Sequence, residues 1–196
     1  MSKPHTSNKN RSDLPRSCSG RNVGGAVNAT DSVAAAPGPK ALAQARKFVG
    51  VTEHPPGSNR TLFGRWYGAD GEPWCAIFLS YCFKVGAGVV LCGGSDGAGV
   101  TANGCSYVPT LMGWLRDTGQ WLAAGRPHPG DIVIFNWDGG EADHAGIVER
   151  DLGGGRFGSI EGNSSDQVAR RERGVGEIEG FGRIRPYLDA LNESYT

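Results

Sequence analysis

The sequence lacks the features that mark membrane, nucleic-acid-binding and disulfide-rich proteins. No apolar stretch approaches the ~18 residues of a membrane span. Basic and acidic residues balance at 20 each, so no net charge attracts nucleic acid or a membrane surface. The five cysteines form no CxxC pair and no zinc-site spacing, although Cys92 and Cys105 leave a disulfide open. We therefore expect a monomeric globular protein with no metal and no membrane insertion.

The ends of the chain differ in composition from its middle. Residues 1–36 carry five basic and two acidic side chains, a net +3, and offer little apolar surface to bury. They also lack the Leu/Ile/Phe-rich core of a secretory signal. We therefore predict a disordered basic tail over 1–37, one domain over 38–188 and a C-terminal tail over 189–196.

Helical periodicity precedes strand alternation along the chain. The spacing predicts three helices: over about 40–49, from Cys75 to near Gly86, and over 109–117. Beyond Trp121 the pattern alternates, which predicts strands at 131–137, 144–150, 156–163, 167–172 and 180–187. Helices first and strands later are typical of an α+β domain, in which the helices pack against a five- to six-stranded antiparallel sheet.

The run from Pro73 to Cys82 predicts a helix with a cysteine in its first turn. Pro73 suits a helix start because its φ is fixed and it has no N–H to satisfy. Unpaired N–H groups and the helix dipole favour an anion there, so Cys75 is a candidate thiolate nucleophile. Phe78 and Leu79 share its apolar face, which points the sulfur toward the core. The alternative is an inert core cysteine.

A nucleophilic cysteine needs a base, and His144 opens a predicted strand. A hairpin centred between Leu152 and Gly153 would pair His144 with Glu161 on one face of the sheet, and Asn163 shares that face. His144 is therefore predicted to take the thiol proton. Glu161, with Asn163 as a second candidate, would accept the other imidazole N–H.

Each of these candidates has a simpler alternative. His144 is otherwise a structural histidine, and Asn163 a plain turn residue. Glu161 is otherwise a surface partner of Arg170 or Arg171.

Residues beside the candidates are predicted to shape a substrate groove. Trp74 precedes the nucleophile and Trp137 ends a strand, so both are candidate groove walls. Asp143 lies next to His144 and is a candidate substrate contact. The alternative for Asp143 is a solvated turn, and for the tryptophans the core.

The order of these motifs resembles the CHAP family, the cysteine, histidine-dependent amidohydrolase/peptidase domains. The likeness covers roughly residues 39–187. It rests on the cysteine helix, on His-Ala-Gly-Ile-Val-Glu from His144 and on Glu-Gly-Asn from Glu161. Domains of this family are similar in fold to papain and cleave bacterial peptidoglycan. They occur in phage endolysins, phage tail lysins and bacterial wall-remodelling enzymes.

The resemblance implies a nucleophile at Cys75, a base at His144 and orienting polar groups at Glu161 and Asn163. The implied reaction is hydrolysis of the muramoyl–L-alanine bond or of an amide in the peptide stem or cross-bridge. It further implies peptidoglycan as partner and a phage-type lysin. Such a lysin would reach the wall after release from the host cytoplasm or in a virion. The residues by themselves indicate only a cysteine amidohydrolase.

Some CHAP domains bind calcium through an acidic loop before the cysteine. Asp70 and Glu72 offer too few oxygen ligands to predict such a site, so no cofactor is expected.

The competing functions are a cysteine amidohydrolase acting on a protein or small amide, and a catalytically silent wall-binding or virion structural module.

Overall fold

The helices lie early in the chain and the strands of the main sheet follow. The structure, a computed structural model, describes residues 36–123 and 125–185. Within these residues the helices are α1 (Pro37–Arg46), α2 (Leu62–Tyr67), α3 (Cys75–Ala87) and α4 (Val108–Asp117). The strands are β1 (Val100–Thr101), β2 (Gly104–Cys105), β3 (Trp121–Leu122), β4 (Ile132–Phe135), β5 (His144–Gly153), β6 (Arg156–Glu161), β7 (Ala169–Gly174) and β8 (Ile178–Gly182). This arrangement confirms the predicted α+β class.

The predicted tails fall almost entirely outside the described residues. The stretch 1–35 and the stretch 186–196 are not described, so the tail over 1–37 and the C-terminal tail over 189–196 stay predictions. Helix α1 begins at Pro37, where proline costs no hydrogen bond because the first helical N–H has no partner in any case. Across the described residues, no helix is both long and apolar enough to cross a membrane.

Helix α3 is buried over most of its circumference, and not only on the predicted apolar face that carries Phe78 and Leu79. The side chains of Ile77, Phe78 and Leu79 are fully buried. The helix ends at Ala87, and its C-cap residue Gly88 has a φ of 72°, a left-handed conformation that glycine adopts without strain. It begins at Cys75, and Trp74 is its N-cap with a non-helical backbone, so Pro73 lies just before the helix.

The main sheet of the described residues is antiparallel, with strand order β3-β8-β4-β5-β6-β7. One face packs against the helices and contributes residues such as Ile134, Ala145 and Ile160 to the larger apolar cluster. The other face carries a second cluster of Val133, Phe135, Val148, Phe157 and Phe181. Because side chains alternate along a strand, His144 on β5 and Glu161 on β6 share this second face.

The register between β5 and β6 differs by two residues from the sequence prediction. Ile147 pairs with Ile160, and the ladder shifts at two irregular points nearer the turn. Each irregularity adds a residue to one strand, which a simple hairpin count misses. Extending the observed register sets Glu161 beside Gly146 instead of His144. A shift of two residues keeps each side chain on the same face of the sheet, so His144 and Glu161 still share a face as predicted.

The Gly-rich segment before α4 forms the short β1–β2 hairpin. Cys92 and Cys105, which flank most of it, are both fully buried free thiols in the structure. Their side chains are hydrogen-bonded to each other, and Cys105 also contacts the carbonyl of Tyr107 at 3.2 Å. The open question of a disulfide therefore concerns two thiols that already face each other.

Candidate active site

Cys75 stands at the first position of α3, where the sequence predicts the nucleophile. Its side chain is 5% exposed, so one edge reaches the surface. The first intrahelical bond runs from the Phe78 N–H to the Trp74 carbonyl at 2.8 Å. The N–H groups of the first helical turn before Phe78 therefore have no carbonyl partner within the helix. Such groups stabilise negative charge on a sulfur or on an oxygen beside it.

His144 and Glu161 form the hydrogen-bonded pair that the sequence predicts. His144 Nε2 lies 3.1 Å from Glu161 Oε2, and the Glu161 side chain is fully buried. The imidazole is also hydrogen-bonded to the Cys75 side chain. Because Nε2 faces the carboxylate, Nδ1 is the ring nitrogen left for the thiol. The three predicted side chains therefore form one chain of contacts from sulfur to carboxylate.

The electrostatics of this chain favour a charged imidazole. Burial acts against the charge on His144. The hydrogen bonds to Cys75 and Glu161 outweigh this effect and raise the pKa of His144 to about 9. Burial likewise opposes ionisation of Glu161. Its bonds to His144, Arg173 and Ser159 nevertheless lower its pKa to about 2. At neutral pH the pair is an imidazolium and a carboxylate.

Two further side chains complete the coordination of the Glu161 carboxylate. The Ser159 hydroxyl donates to Oε1 at 2.6 Å. Arg173 donates from Nε to Oε1 at 3.0 Å and from its terminal nitrogen to Oε2 at 2.8 Å. The alternative partners predicted for Glu161, Arg170 and Arg171, do not bind it. Arg170 binds Glu149, and Arg171 binds Ser164. Strand alternation puts Arg173 on the Glu161 face, but only the register reveals which arginine reaches it.

Asn163 makes its side-chain hydrogen bonds to residues that precede Cys75 in the chain. In one amide orientation its Nδ2 donates to Asn59 Oδ1 at 3.3 Å. In the reversed orientation Nδ2 donates to Glu53 Oε1 and Oδ1 accepts from the Trp74 N–H, both at 3.3 Å. Either orientation turns the amide toward the segment that leads into α3. Among the hydrogen bonds of the described residues, none joins Asn163 to His144.

Glu53 is a buried carboxylate that sequence reasoning missed. It is 2% exposed and accepts from the Trp74 indole N–H at 2.9 Å and from the Asn59 backbone N–H at 2.7 Å. The bond to the indole fastens the 51–60 segment to Trp74, which immediately precedes Cys75. No periodic pattern in the sequence points to Glu53, because it stands in an irregular segment.

The structure separates the two predicted groove tryptophans. Trp74 is fully buried and stacks on Phe63, with ring centroids 5.6 Å apart, so it belongs to the core and not to a groove wall. Its burial follows from the apolar pocket under α3 and from its bond to Glu53. Trp137 is 47% exposed, stacks on Phe135 at 5.0 Å and lies 5.4 Å from the His144 ring. Trp137 therefore covers one side of the imidazole.

The acidic residues around the site have other tasks or face solvent. Asp143 is exposed next to His144, and its backbone N–H donates to the Phe135 carbonyl at 3.2 Å. Asp70 accepts from the Thr61 N–H at 3.1 Å and lies 3.9 Å from Arg65. In the parts of the chain that the structure describes, no group of three or more His, Cys, Asp or Glu side chains could hold a metal ion. The absence of a cofactor stays a prediction.

A thiol, an imidazole and a carboxylate bonded in that order form the arrangement of a cysteine hydrolase. The sequence model of the CHAP domain matches residues 66–163, which is half of the chain and contains these three residues. The chain therefore belongs to the CHAP domain family. No curated protein matches it.

Solved structures of Ly7917 are similar to the chain in fold. The crystal structure of Ly7917 matches at 17% sequence identity and a TM-score of 0.45, covering 75% of this chain and 62% of that one. The crystal structure of Ly7917 with the hydrolyzing product of MDP matches at 18% identity and a TM-score of 0.46, covering 76% and 62%. The chain thus spans less than two thirds of the length of these structures.

Proposed function

We propose that this protein is a cysteine amidohydrolase that cleaves an amide bond in bacterial peptidoglycan. The observation that carries the proposal is the bonded series from Cys75 through His144 to Glu161, within a chain of the CHAP family. Peptidoglycan as substrate comes from the family. Cysteine chemistry comes from the site itself.

The proposed reaction begins with attack of the Cys75 sulfur on the amide carbonyl carbon. The thiol proton resides on His144, and a carbon–sulfur bond forms as the carbonyl oxygen becomes negative. The unpaired N–H groups at the start of α3 stand beside the sulfur and would stabilise that oxygen. The imidazolium then gives its proton to the amine as the carbon–nitrogen bond breaks, which leaves a thioester on Cys75.

Hydrolysis of the thioester reverses these roles. The neutral imidazole of His144 takes a proton from water, and the resulting hydroxide attacks the thioester carbon. The carbon–sulfur bond breaks, the acid product leaves, and the thiolate–imidazolium pair returns. Glu161 stays ionised throughout and holds the ring by Nε2, which keeps Nδ1 directed at the reacting atoms.

The bond cut and the biological setting are proposed more broadly. The candidates are the muramoyl–L-alanine bond, which an amidase cuts, and an amide of the stem or cross-bridge, which an endopeptidase cuts. We propose a phage-type lysin as the setting, because CHAP domains occur in such enzymes. It would act on the cell wall as a monomer without a cofactor.

Digestion of purified peptidoglycan followed by mass spectrometry tests this proposal. Free stem peptides with an N-terminal L-alanine would identify an amidase. Cut stems or bridges still attached to sugar would identify an endopeptidase. Absence of any fragment from the wild type would contradict peptidoglycan hydrolysis and direct the search to other amides.

Two alanine variants of the same helix test the nucleophile. Cys75→Ala is expected to abolish turnover while the thermal transition stays close to that of the wild type. Cys82→Ala is the matched control, because Cys82 lies on the same helix and is fully buried. It should keep the reaction and lose only stability. Wall degradation by Cys75→Ala would mean that another residue is the nucleophile.

A further inference from the structure

Arg173 binds the Glu161 carboxylate, which orients the base His144, yet Arg173 takes no part in the bond-making and bond-breaking steps of the proposed reaction. We propose that Arg173 is a positioning residue that shares the Glu161 carboxylate with His144. By doing so it keeps the imidazolium able to release its proton to the leaving amine. This inference rests on the proposed amide hydrolysis, in which His144 must first hold a proton and then give it up.

The contact requires the full length and the fork of an arginine side chain. In the β6–β7 ladder Arg173 stands opposite Phe157, whereas Glu161 stands opposite Ala169. The Arg173 and Glu161 side chains therefore span an offset of four residues between them. It then donates to both oxygens, at 3.0 Å and 2.8 Å. A lysine would bring the same charge but a single donor atom.

The same guanidinium also supports the aromatic cover of the site. It lies 5.1 Å from the Trp137 ring centroid and 5.4 Å from that of Phe135, distances at which a cation is attracted to an aromatic face. Trp137 in turn lies 5.4 Å from His144. One residue thus touches both the carboxylate and the ring that shields the imidazole.

The charges around the site explain why it matters that His144 and Arg173 share the Glu161 carboxylate. The groups that face the pair are Cys75 from α3, His144 from β5, Ser159 and Glu161 from β6, Arg173 from β7, and Glu177 beyond it. A buried carboxylate facing only an imidazolium would hold that proton strongly. The cation on the other side of Glu161 weakens this hold, so His144 can act as base and then as acid.

The test follows the imidazole directly and does not depend on cell-wall hydrolysis. Ring-carbon NMR of the full chain, which has four histidines, gives the titration midpoint of His144. Arg173→Gln is expected to raise this midpoint by about half a pH unit or more, because the variant removes a nearby cation. Its kcat on peptidoglycan should fall about tenfold, with little change in KM, because proton release becomes harder.

Two matched variants separate positioning from folding. Arg173→Lys keeps the charge, so its midpoint should return toward that of the wild type while kcat recovers only in part. Arg171→Gln alters the same strand but binds Ser164, and it should leave both quantities unchanged. A midpoint in Arg173→Gln that is unchanged or lowered would overturn the proposal, whatever happens to kcat. If the wild type cut no peptidoglycan, only the proposed function would fail.

Discussion

Two buried carboxylates on the main sheet use similar chemistry for different ends. Glu149 on β5 accepts from Arg170 at 2.8 and 3.2 Å and from Arg46 of α1 at 3.0 Å. Glu161 on β6 accepts from Arg173 and, in place of a second arginine, from His144. Glu149 joins a helix to two strands through permanent cations. Glu161 joins its strands through one permanent cation and one that titrates.

The two clusters differ in whether a cation bound to the carboxylate can release a proton near neutral pH. Burial opposes the charge of Glu149, but its bonds to Arg170 and Arg46 lower its pKa, and neither guanidinium releases a proton near neutral pH. At Glu161 the imidazole can lose its proton and is bonded to a thiol. The presence of a histidine next to a cysteine, in place of a second arginine, thus distinguishes the candidate catalytic cluster around Glu161 from the structural cluster around Glu149.

Neutralising each carboxylate should separate these tasks most clearly. Glu161→Gln is expected to lower kcat about 100-fold or more, because the amide cannot stabilise the imidazolium that the reaction needs. Steady-state kinetics on peptidoglycan measures this loss. If Glu161→Gln retained most of its activity, the comparison would fail at its main point.

The pH dependence should differ between the two clusters. Because the imidazolium of His144 has a pKa of about 9, turnover should fall as the pH rises through that value. Its folded pKa exceeds the ordinary 6.5, so the charged ring stabilises the fold below pH 6.5 and loses this effect as the pH rises through about 9. Rates and thermal transitions measured from pH 6 to about 10 check both expectations. A flat profile across that range would contradict the charged imidazole.

A methyl group on Gly146 should disturb Glu161 most, because the Glu161 side chain is its nearest neighbour. A Cβ at Gly146 would stand 2.7 Å from Glu161 Cγ and 3.3 Å from the Ile160 carbonyl, so Glu161 must shift. We expect Gly146→Ala to lower kcat about tenfold because the bond to His144 loses its alignment. Gly176→Ala, at a position with no atom within 4 Å of the added group, is the control. Equal kinetics for the two variants would contradict the close contact.

The smallest effect is expected at the structural carboxylate. Glu149→Gln leaves Arg170 and Arg46 half exposed, so solvent compensates part of the lost charge pairing. The free energy of unfolding should fall by about 1–2 kcal/mol while kcat stays unchanged. Urea unfolding and the peptidoglycan assay give the two numbers. A loss of activity without a loss of stability would mean that Glu149 also acts on the site.

The three residues of the candidate site could be predicted from the sequence, whereas the residues that hold them in place could not. The helix start at Cys75 and the strands that bear His144 and Glu161 depend on local periodicity, which the sequence displays. The role of Arg173 depends on the pairing register between β6 and β7, and that of Glu53 depends on the path of an irregular segment. These are long-range features without a periodic signal.

The sequence predicted a groove wall at Trp74 and left the core as the alternative, and the structure shows the core. Adjacency in sequence to the nucleophile suggested a place in the groove. The N-cap residue nevertheless packs in the aromatic core, while the neighbouring Cys75 contacts the imidazole. Residues next to each other at a helix start leave in different directions, and only the packing shows which groups each one meets.

The close packing of Phe78 on Gly162 has a consequence for how the chemistry is divided along the chain. A Cβ at Gly162 would lie 2.5 Å from Phe78 Cβ, so α3 seats directly on the end of β6. The sulfur belongs to the helix side of this contact, and the imidazole and carboxylate belong to the sheet side, which lies later in the chain. A polypeptide severed between Cys75 and His144 would therefore give two inert fragments. Turnover recovered on mixing them would report that the two halves had reassembled.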